Sequence, residues 1–386
     1  MAAPNLLNQT VVRREALRRW LLVGAATAVA AGTPVALRAI PTRVRDIPPD
    51  QLFQLVRGSA RQPYQGFALS TGTAGLPALP QLTSVSRLLS GQTQLRAWYA
   101  APDRWRVDTL NEGDEHGLYA GPDGQQTLWD YGANQITEVT GTAPVRLPRA
   151  ADLVPPDLGR RLLGDARPPT DRLTALPAKR IASISAPGLR VTPSDPQSTL
   201  GRVDLWADPA TGLPLQVEVA AKGVPTPVLS TRFLDLARTA PDPAVLVPPP
   251  VRTGVGFTVT NAPDLGGALS NLGLGQLPHR LAGRCRTGGT ALTGAGQYGT
   301  GFASFVVLAV PRNTGFDMMR TMLHAGGVAL DLPRGDAVLL ATGLLSVMGV
   351  DSHAVRRTYL LAGLVGGDLL HQAGTDLDAF WAGRPA

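Results

Sequence analysis

Residues 95–139 constrain this chain more than any other stretch. Bulky and polar side chains alternate through Leu95-Arg96-Ala97-Trp98-Tyr99, break at Pro102-Asp103, and resume through Arg104-Trp105-Arg106-Val107-Asp108. Alternation on both sides of a turn pair is the mark of two antiparallel strands. A second pair follows around Gly121-Pro122-Asp123-Gly124, and Gly132-Ala133-Asn134 turns the chain into Gln135-Ile136-Thr137-Glu138-Val139. The reading is an antiparallel meander with Trp98, Trp105 and Trp129 at period-2 positions. Aromatics of that size on one curved sheet have to be covered by something large.

The 386 residues are enough for two domains. The formal charge of +7 is carried almost wholly by arginine, since Lys179 and Lys222 are the only lysines. That bias, with abundant Ala, Gly and Pro, fits a GC-rich coding background. Past the N-terminus the arginines are scattered and are not interleaved with aromatics, so no nucleic-acid platform is expected. Cys285 is the single cysteine. It excludes an internal disulfide, a thiolate metal cluster and a CxxC redox pair, and it reads as a buried, inert thiol.

The N-terminus carries an address. Arg13-Arg14 and Arg18-Arg19 precede an uncharged, Leu-, Val-, Ala- and Gly-rich run. We read 1–19 as a basic cytoplasmic segment, 20–39 as a signal anchor crossing the membrane, and 40–49 as a linker. Everything beyond would lie outside the cytoplasm, or be secreted if the signal is cut. A short amphipathic helix is expected next, with Asp50 as its N-cap and Leu52, Phe53, Leu55 and Val56 on one stripe, able to lie as a lid across the sheet.

Beyond the lid, Tyr64-Gln65-Gly66-Phe67-Ala68-Leu69-Ser70 reads as a strand with a glycine bend, and residues 82–89 as either a strand or one helical turn. Residues 143–187, rich in Pro, Asp and Arg, read as a lid or linker with one short helix at 158–164. Strands resume at 190–192, 201–207, 213–219 and 228–236, and Pro248-Pro249-Pro250 closes a first domain of about eight mostly antiparallel strands. After a Gly-rich linker come further strand signals, a short helix at 316–325 and a final helix at 367–380.

The serial order of Tyr64-Gln65-Gly66, Trp98-Tyr99, Pro102-Asp103-Arg104-Trp105-Arg106-Val107, Leu128-Trp129-Asp130-Tyr131, Val203-Asp204-Leu205-Trp206, Pro209-Ala210-Thr211-Gly212-Leu213-Pro214-Leu215 and Leu246-Val247-Pro248-Pro249 resembles the LolA-like carriers. These include the MucB/RseB-type sigma-E regulatory proteins, and the arginine-rich composition suggests an actinobacterial type. The Leu277-Pro278 entry and the run from Tyr298 to Val307 resemble the small C-terminal domain of the MucB/RseB type. The resemblance implies a mainly β (α+β) fold: a curved, unclosed antiparallel half-barrel with a helical lid at 50–252, a linker at 253–275, and a small α+β domain at 276–386. It further implies an apolar concave face that holds acyl chains or a partner peptide.

On that basis Trp98, Trp105, Trp129, Tyr131, Trp206 and Phe233 are nominated as cavity residues. Because strand side chains alternate, at most half of the aromatics can face one side. Enzyme signatures are missing: there is no HExxH, no GxSxG and no GxxxxGK[ST]. Gly294-Ala295-Gly296-Gln297-Tyr298-Gly299 matches GxGxxG by letter but precedes a strand, so it reads as a turn. Asp103, Asp108, Asp114 and Glu115, with His116 beside them, read as solvated loop carboxylates near Arg104 and Arg106. No catalytic residue, metal or cofactor is expected. The expected partners are an acyl-chain lipid or lipoprotein, an anti-sigma factor ectodomain, and the membrane through the N-terminal helix. Two roles remain: a regulator that binds an anti-sigma factor, or a lipid or lipoprotein carrier without such a partner.

Overall fold

The computed structural model describes residues 47–73, 83–111, 114–141, 148–261, 277–287 and 294–382. The segments 1–19 and 20–39 and most of 40–49 lie outside them, as does the side chain of Asp114. Among the described residues no helix is long and apolar enough to cross a membrane.

The alternating stretches become strands β1 (Tyr64–Gly72), β2 (Gln92–Ala101), β3 (Arg104–Asn111), β4 (Asp114–Ala120), β5 (Gln126–Asp130) and β6 (Gln135–Thr140). They are joined by β7 (Arg172–Ile181), β8 (Ile184–Thr192), β9 (Leu200–Ala207), β10 (Pro214–Ala221), β11 (Leu229–Ala237) and β12 (Gly256–Asn261). All twelve form one sheet in the order β12-β6-β5-β4-β3-β2-β1-β11-β10-β9-β8-β7. Its edges, β12 and β7, do not pair, so this curved half-barrel is unclosed. Neighbours are antiparallel except β12, which runs parallel to β6.

The sheet has more strands than the eight expected, for identifiable reasons. β7 and β8 form a hairpin inside the proline-rich stretch 143–187. Its turn is made by Ala182 (φ 44°) and Ser183 (φ 66°), two residues that rarely adopt the left-handed region. Pro177 is accommodated where the β7–β8 register shifts between Leu176 and Lys179. β12 lies beyond the triple proline, within residues read as a linker.

Among the described residues three α-helices accompany the large sheet: α1 (Pro49–Gly58), α2 (Thr83–Leu89) and α3 (Pro155–Asp165). Residues 83–89 thus resolve as helix. The N-cap of α1 is Pro48, without a side-chain cap, so Asp50 does not cap it. With Pro49 at the first helical position the fixed proline φ starts the helix, and Asp50 instead sits in the first turn, where the helix dipole favours a carboxylate. α3 also begins on prolines, Pro155 and Pro156.

The second sheet holds β13 (Arg280–Leu281), β14 (Arg284–Thr287), β15 (Ala295–Tyr298), β16 (Phe305–Val310), β17 (Val328–Leu332), β18 (Gly335–Ala341), β19 (Ser346–Ser352) and β20 (Arg357–Gly363). Helices α4 (Arg312–His324) and α5 (Gly367–Ala382) complete it. Alternation along β18 and β19 serves both faces: Val338, Leu340 and Val347 pack with Met319 and Met322 of α4, while Ala337, Met348 and Val350 pack with Leu370, Ala373 and Leu377 of α5. The GxGxxG letters fall on β15 and its flanking turns, not on a helix start.

The two sheets belong to one compact unit. Ser198 bridges Val365, the Thr199 N–H donates to Leu364 O at 3.0 Å, and Arg284 pairs with Asp195 at 2.7 Å. Cys285 is exposed, not buried. It lies in the short β13–β14 hairpin opposite Arg280, whose Nη2 reaches the sulfur at 3.6 Å without covering it.

Candidate functional site

Directly opposed residues in an antiparallel pair share a face, which sorts the nominated aromatics without ambiguity. Tyr64 opposes Tyr99, and Tyr99 opposes Trp105. Ala68 opposes Leu95, and Leu205 lies between Leu189 and Val217. These residues share one core with Leu52, Phe53 and Val56 of α1 and with Leu163 of α3. This is the concave, helix-covered face. Phe233 belongs to it, edge-on to Tyr64 at 5.7 Å, while Tyr64 stacks on Tyr99 at 5.0 Å.

Trp98, Trp129, Tyr131 and Trp206 stand on the other face. Trp98 opposes Arg106 and so points away from Tyr99. Trp129 opposes Ile136 and lies 5.2 Å from Tyr131. The Arg106 guanidinium is sandwiched between the rings of Trp98 (4.7 Å) and Tyr119 (4.8 Å) and donates to Tyr131 Oη at 2.9 Å. Trp206 opposes Gln216, carries Lys179 Nζ over its ring at 3.3 Å, and donates its indole N–H to Pro177 O. Of the six nominated residues, then, Trp105 and Phe233 face the helices, Trp98, Trp129 and Tyr131 cluster on the other face, and Trp206, only 4% exposed, is buried under β7 within the large core.

Asp108 is also not a solvated loop carboxylate. It is 2% exposed on β3 and accepts two bonds from Arg106. Its burial follows from its partner, because a carboxylate is tolerated inside when a guanidinium satisfies it. Asp103, by contrast, is exposed in the β2–β3 turn. Among the described residues no group of His, Cys, Asp and Glu is arranged to hold a metal ion.

The stripe of α1 is seated as its spacing implies: Leu52, Phe53 and Val56 are buried and Leu55 is half-buried against the same core. Removing each buried side chain from water contributes about 1.5–3 kcal/mol. α3 comes still closer to the sheet. A Cβ on Gly159 would sit 2.8 Å from Leu205 Cδ1 and 2.9 Å from Pro214 Cγ, so a larger residue there would force Leu205 and Pro214 to give way.

The helical cover is broken where α3 meets the β2–β3 turn. A half-open cleft of about 340 Å³ lies there, floored by Tyr99, Pro102 and Trp105 and walled by Arg149, Asp152, Asp157, Arg160 and Arg161. Its parts are held in place. Tyr99 Oη donates to Ala60 O at 2.6 Å, Trp105 Nε1 to Pro102 O at 3.2 Å, and Arg160 Nη2 to Asp157 Oδ1 at 2.6 Å. The sequence did not single out any of these arginines. The signal that could have done so is Asp157 and Arg160 at i,i+3 just after Pro155-Pro156, which marks an ion pair on the first turns of a helix.

A larger hollow of about 600 Å³ lies near the β8–β9 and β10–β11 connections. Its charged side chains are already engaged: Arg202 by Asp204 and Val224 O, Lys222 by Pro196 O, and Asp195 by Arg284. The cleft beside α3 is therefore the better candidate.

Desolvation pushes the Asp157 carboxyl, whose side chain is still 40% exposed, above its ordinary value of 3.8; the charge and hydrogen bond of Arg160 oppose the rise, Asp152 adds to it, and Arg161 opposes it. A carboxyl raised in the folded state loses its proton first in the unfolded chain. Its contribution to stability is thus full below about pH 4 and declines as pH climbs toward the folded value. Asp157→Asn is expected to flatten that part of the stability profile, read as urea midpoint against pH upward from about 4. An unchanged slope in the variant would show that Asp157 titrates alike in both states.

The chain thus presents a curved, unclosed sheet whose concave face is roofed by helices, joined to a second, helix-flanked sheet. No family model matches the chain, and no curated relative matches it. Among solved structures the chain is similar to a crystal structure of MucB in complex with MucA(peri), at 14% identity and TM-score 0.46, over 85% of this chain and 97% of that one. It is similar to MucB in the Pseudomonas aeruginosa MucA/MucB complex, at 17% identity and TM-score 0.47, over 84% and 96%. A LolA superfamily protein from Nitrosomonas europaea is similar at 10% identity and TM-score 0.21, over 53% and 99%.

Proposed function

We propose that this chain is a non-enzymatic binding protein acting outside the cytoplasm, which takes an acyl chain or a partner's peptide between its helices and its large sheet. The observation that carries the reading is the roof. The apolar concave face is covered by two short helices instead of a second sheet, and the cover is already open at the cleft beside α3. Short helices held mainly by a few apolar side chains lift at lower free-energy cost than a strand in a ladder.

In the finer form of the proposal the protein is a regulator. The half-barrel at 50–252 and the smaller domain at 276–386 together bind the exposed segment of a membrane anti-sigma factor, lipid or lipoprotein competes, and 20–39 tethers the chain. The basic flank and apolar run at the N-terminus support the tether, and the serial resemblance supports the partner. Native mass spectrometry of the full chain in mild detergent, with solvent extraction of what unfolding releases, tests the first part. A discrete acyl-chain mass, displaced by an anti-sigma ectodomain, is the expected result. Release of lipid without any ectodomain binding would favour a carrier, and failure to hold either would overturn the proposal.

A further inference from the structure

Resting on the partner-peptide form of that reading, we propose that the cleft beside α3 receives the carboxylate of a partner's acidic peptide segment on Arg160, with a neighbouring apolar side chain of that segment on Trp105. Three features support it. The first is an orphan donor: Arg160 Nη1 is buried and has no hydrogen-bond acceptor, although Nη2 of the same guanidinium is paired with Asp157. A buried donor without a partner is costly, and a ligand oxygen that reaches it as the guanidinium tips off the Tyr99 ring, 5.7 Å away, removes that cost.

The second feature is charge. The cleft wall carries three arginines against two aspartates, one positive charge in excess, which a single carboxylate neutralises and a phosphate dianion over-fills. Arg161, whose side chain is 57% exposed, holds Asp152 only at 3.8 Å and remains available at the mouth. The third is size and lining. About 340 Å³ is at the small end of ligand sites, room for a few side chains, and its aromatic floor offers a flat apolar platform beside the cations. Trp105 is half-buried, with its indole N–H already satisfied, so it presents a face and not a donor.

The test uses the full chain and two fluorescein-labelled, capped peptides, one with phenylalanine followed by glutamate and its glutamine twin, read by polarisation. The glutamate peptide is expected to bind about tenfold more tightly, the ratio one charge-assisted hydrogen bond supplies. Arg160→Met should abolish that ratio, with folding of the variant checked by its melting temperature, and Arg160→Lys should leave a reduced one, which keeps the test decisive if the methionine variant folds poorly. Asp157→Asn, by freeing Nη2, should tighten glutamate binding. Equal binding of the two peptides, or a ratio indifferent to Arg160, would overturn the inference. So would Arg160-dependent binding of oleate but not of peptide. Nile red, an uncharged apolar dye, is titrated in parallel: its uptake without glutamate selectivity leaves the roofed-sheet reading standing, and loss of both removes that reading as well.

Discussion

Replacing Gly212 by alanine is expected to unseat α1 and to cost about 3 kcal/mol or more of stability. Gly212 ends the β9–β10 turn at φ +72°, with its N–H bonded to Asp208 O at 2.9 Å. A Cβ there would sit 2.3 Å from Leu55 O and 2.4 Å from Leu55 C, which are backbone atoms of α1. The left-handed conformation alone costs an L-residue about 1–2 kcal/mol. The overlap cannot be relieved by a rotamer, so the helix has to shift and uncover Leu52, Phe53 and Val56. Gly223→Ala separates the two effects: its φ is +75°, but a Cβ there meets nothing within 4 Å. Urea denaturation of both variants, with hydrogen exchange over residues 49–58, reads the difference. Equal losses would mean that the turn does not pin the helix, and that α1 is held by its apolar stripe alone.

The turn that seats α1 was legible as a turn, and so was the meander. Pro102-Asp103, the Gly121 to Gly124 bend and Gly132-Ala133-Asn134 punctuate strands whose alternation is complete, and β2 to β6 follow them closely. The lid stripe was legible for the same reason, since helical spacing alone puts Leu52, Phe53 and Val56 on one side. What alternation does not reveal is which side is inward. Trp98 and Tyr99 are adjacent and equally apolar, and only the arrival of α1 and α3 on the Tyr99 face makes that face the core. Trp206 points away from Leu205 yet stays buried, because β7 covers it with Lys179 and Pro177, and β7 is a strand hidden in the sequence by a turn of Ala182 and Ser183 that lacks the usual glycine or asparagine. Cys285 and Arg160 were missed on opposite grounds. A lone cysteine defaults to the interior, yet the β13–β14 hairpin is too short to bury it. One arginine among many defaults to solvent, yet packing of α3 against Tyr99 takes part of this one inside.

The largest single loss is expected at Asp108. Asp108→Ala should cost about 3–5 kcal/mol, because it leaves the Arg106 guanidinium, 17% exposed between two rings, without its counter-charge. Arg106 Nε and Nη2 grip the two carboxylate oxygens at 2.7 and 2.5 Å, and Nη1 reaches Val245 O at 3.4 Å in the strap that crosses this face. The pair therefore ties β3 to the segment that leads into β12. Desolvating both charges offsets much of their attraction, so the pair as a whole contributes far less than the loss of either partner suggests. That gives the prediction its sharp form. Arg106→Met should cost as much as Asp108→Ala, whereas Arg106→Met combined with Asp108→Leu should recover most of the loss, since apolar side chains suit the ring of Trp98, Tyr119 and Trp129. Urea unfolding of Arg106→Met, Asp108→Leu and the double variant closes the cycle. Additive losses would show that the two charges act independently and that the convex cluster is held by its aromatic rings alone. A strongly favourable recovery would show that the ion pair fixes the position of the strap more than it stabilises the fold, and hydrogen exchange at residues 243–247 would then rise in the double variant despite its restored stability.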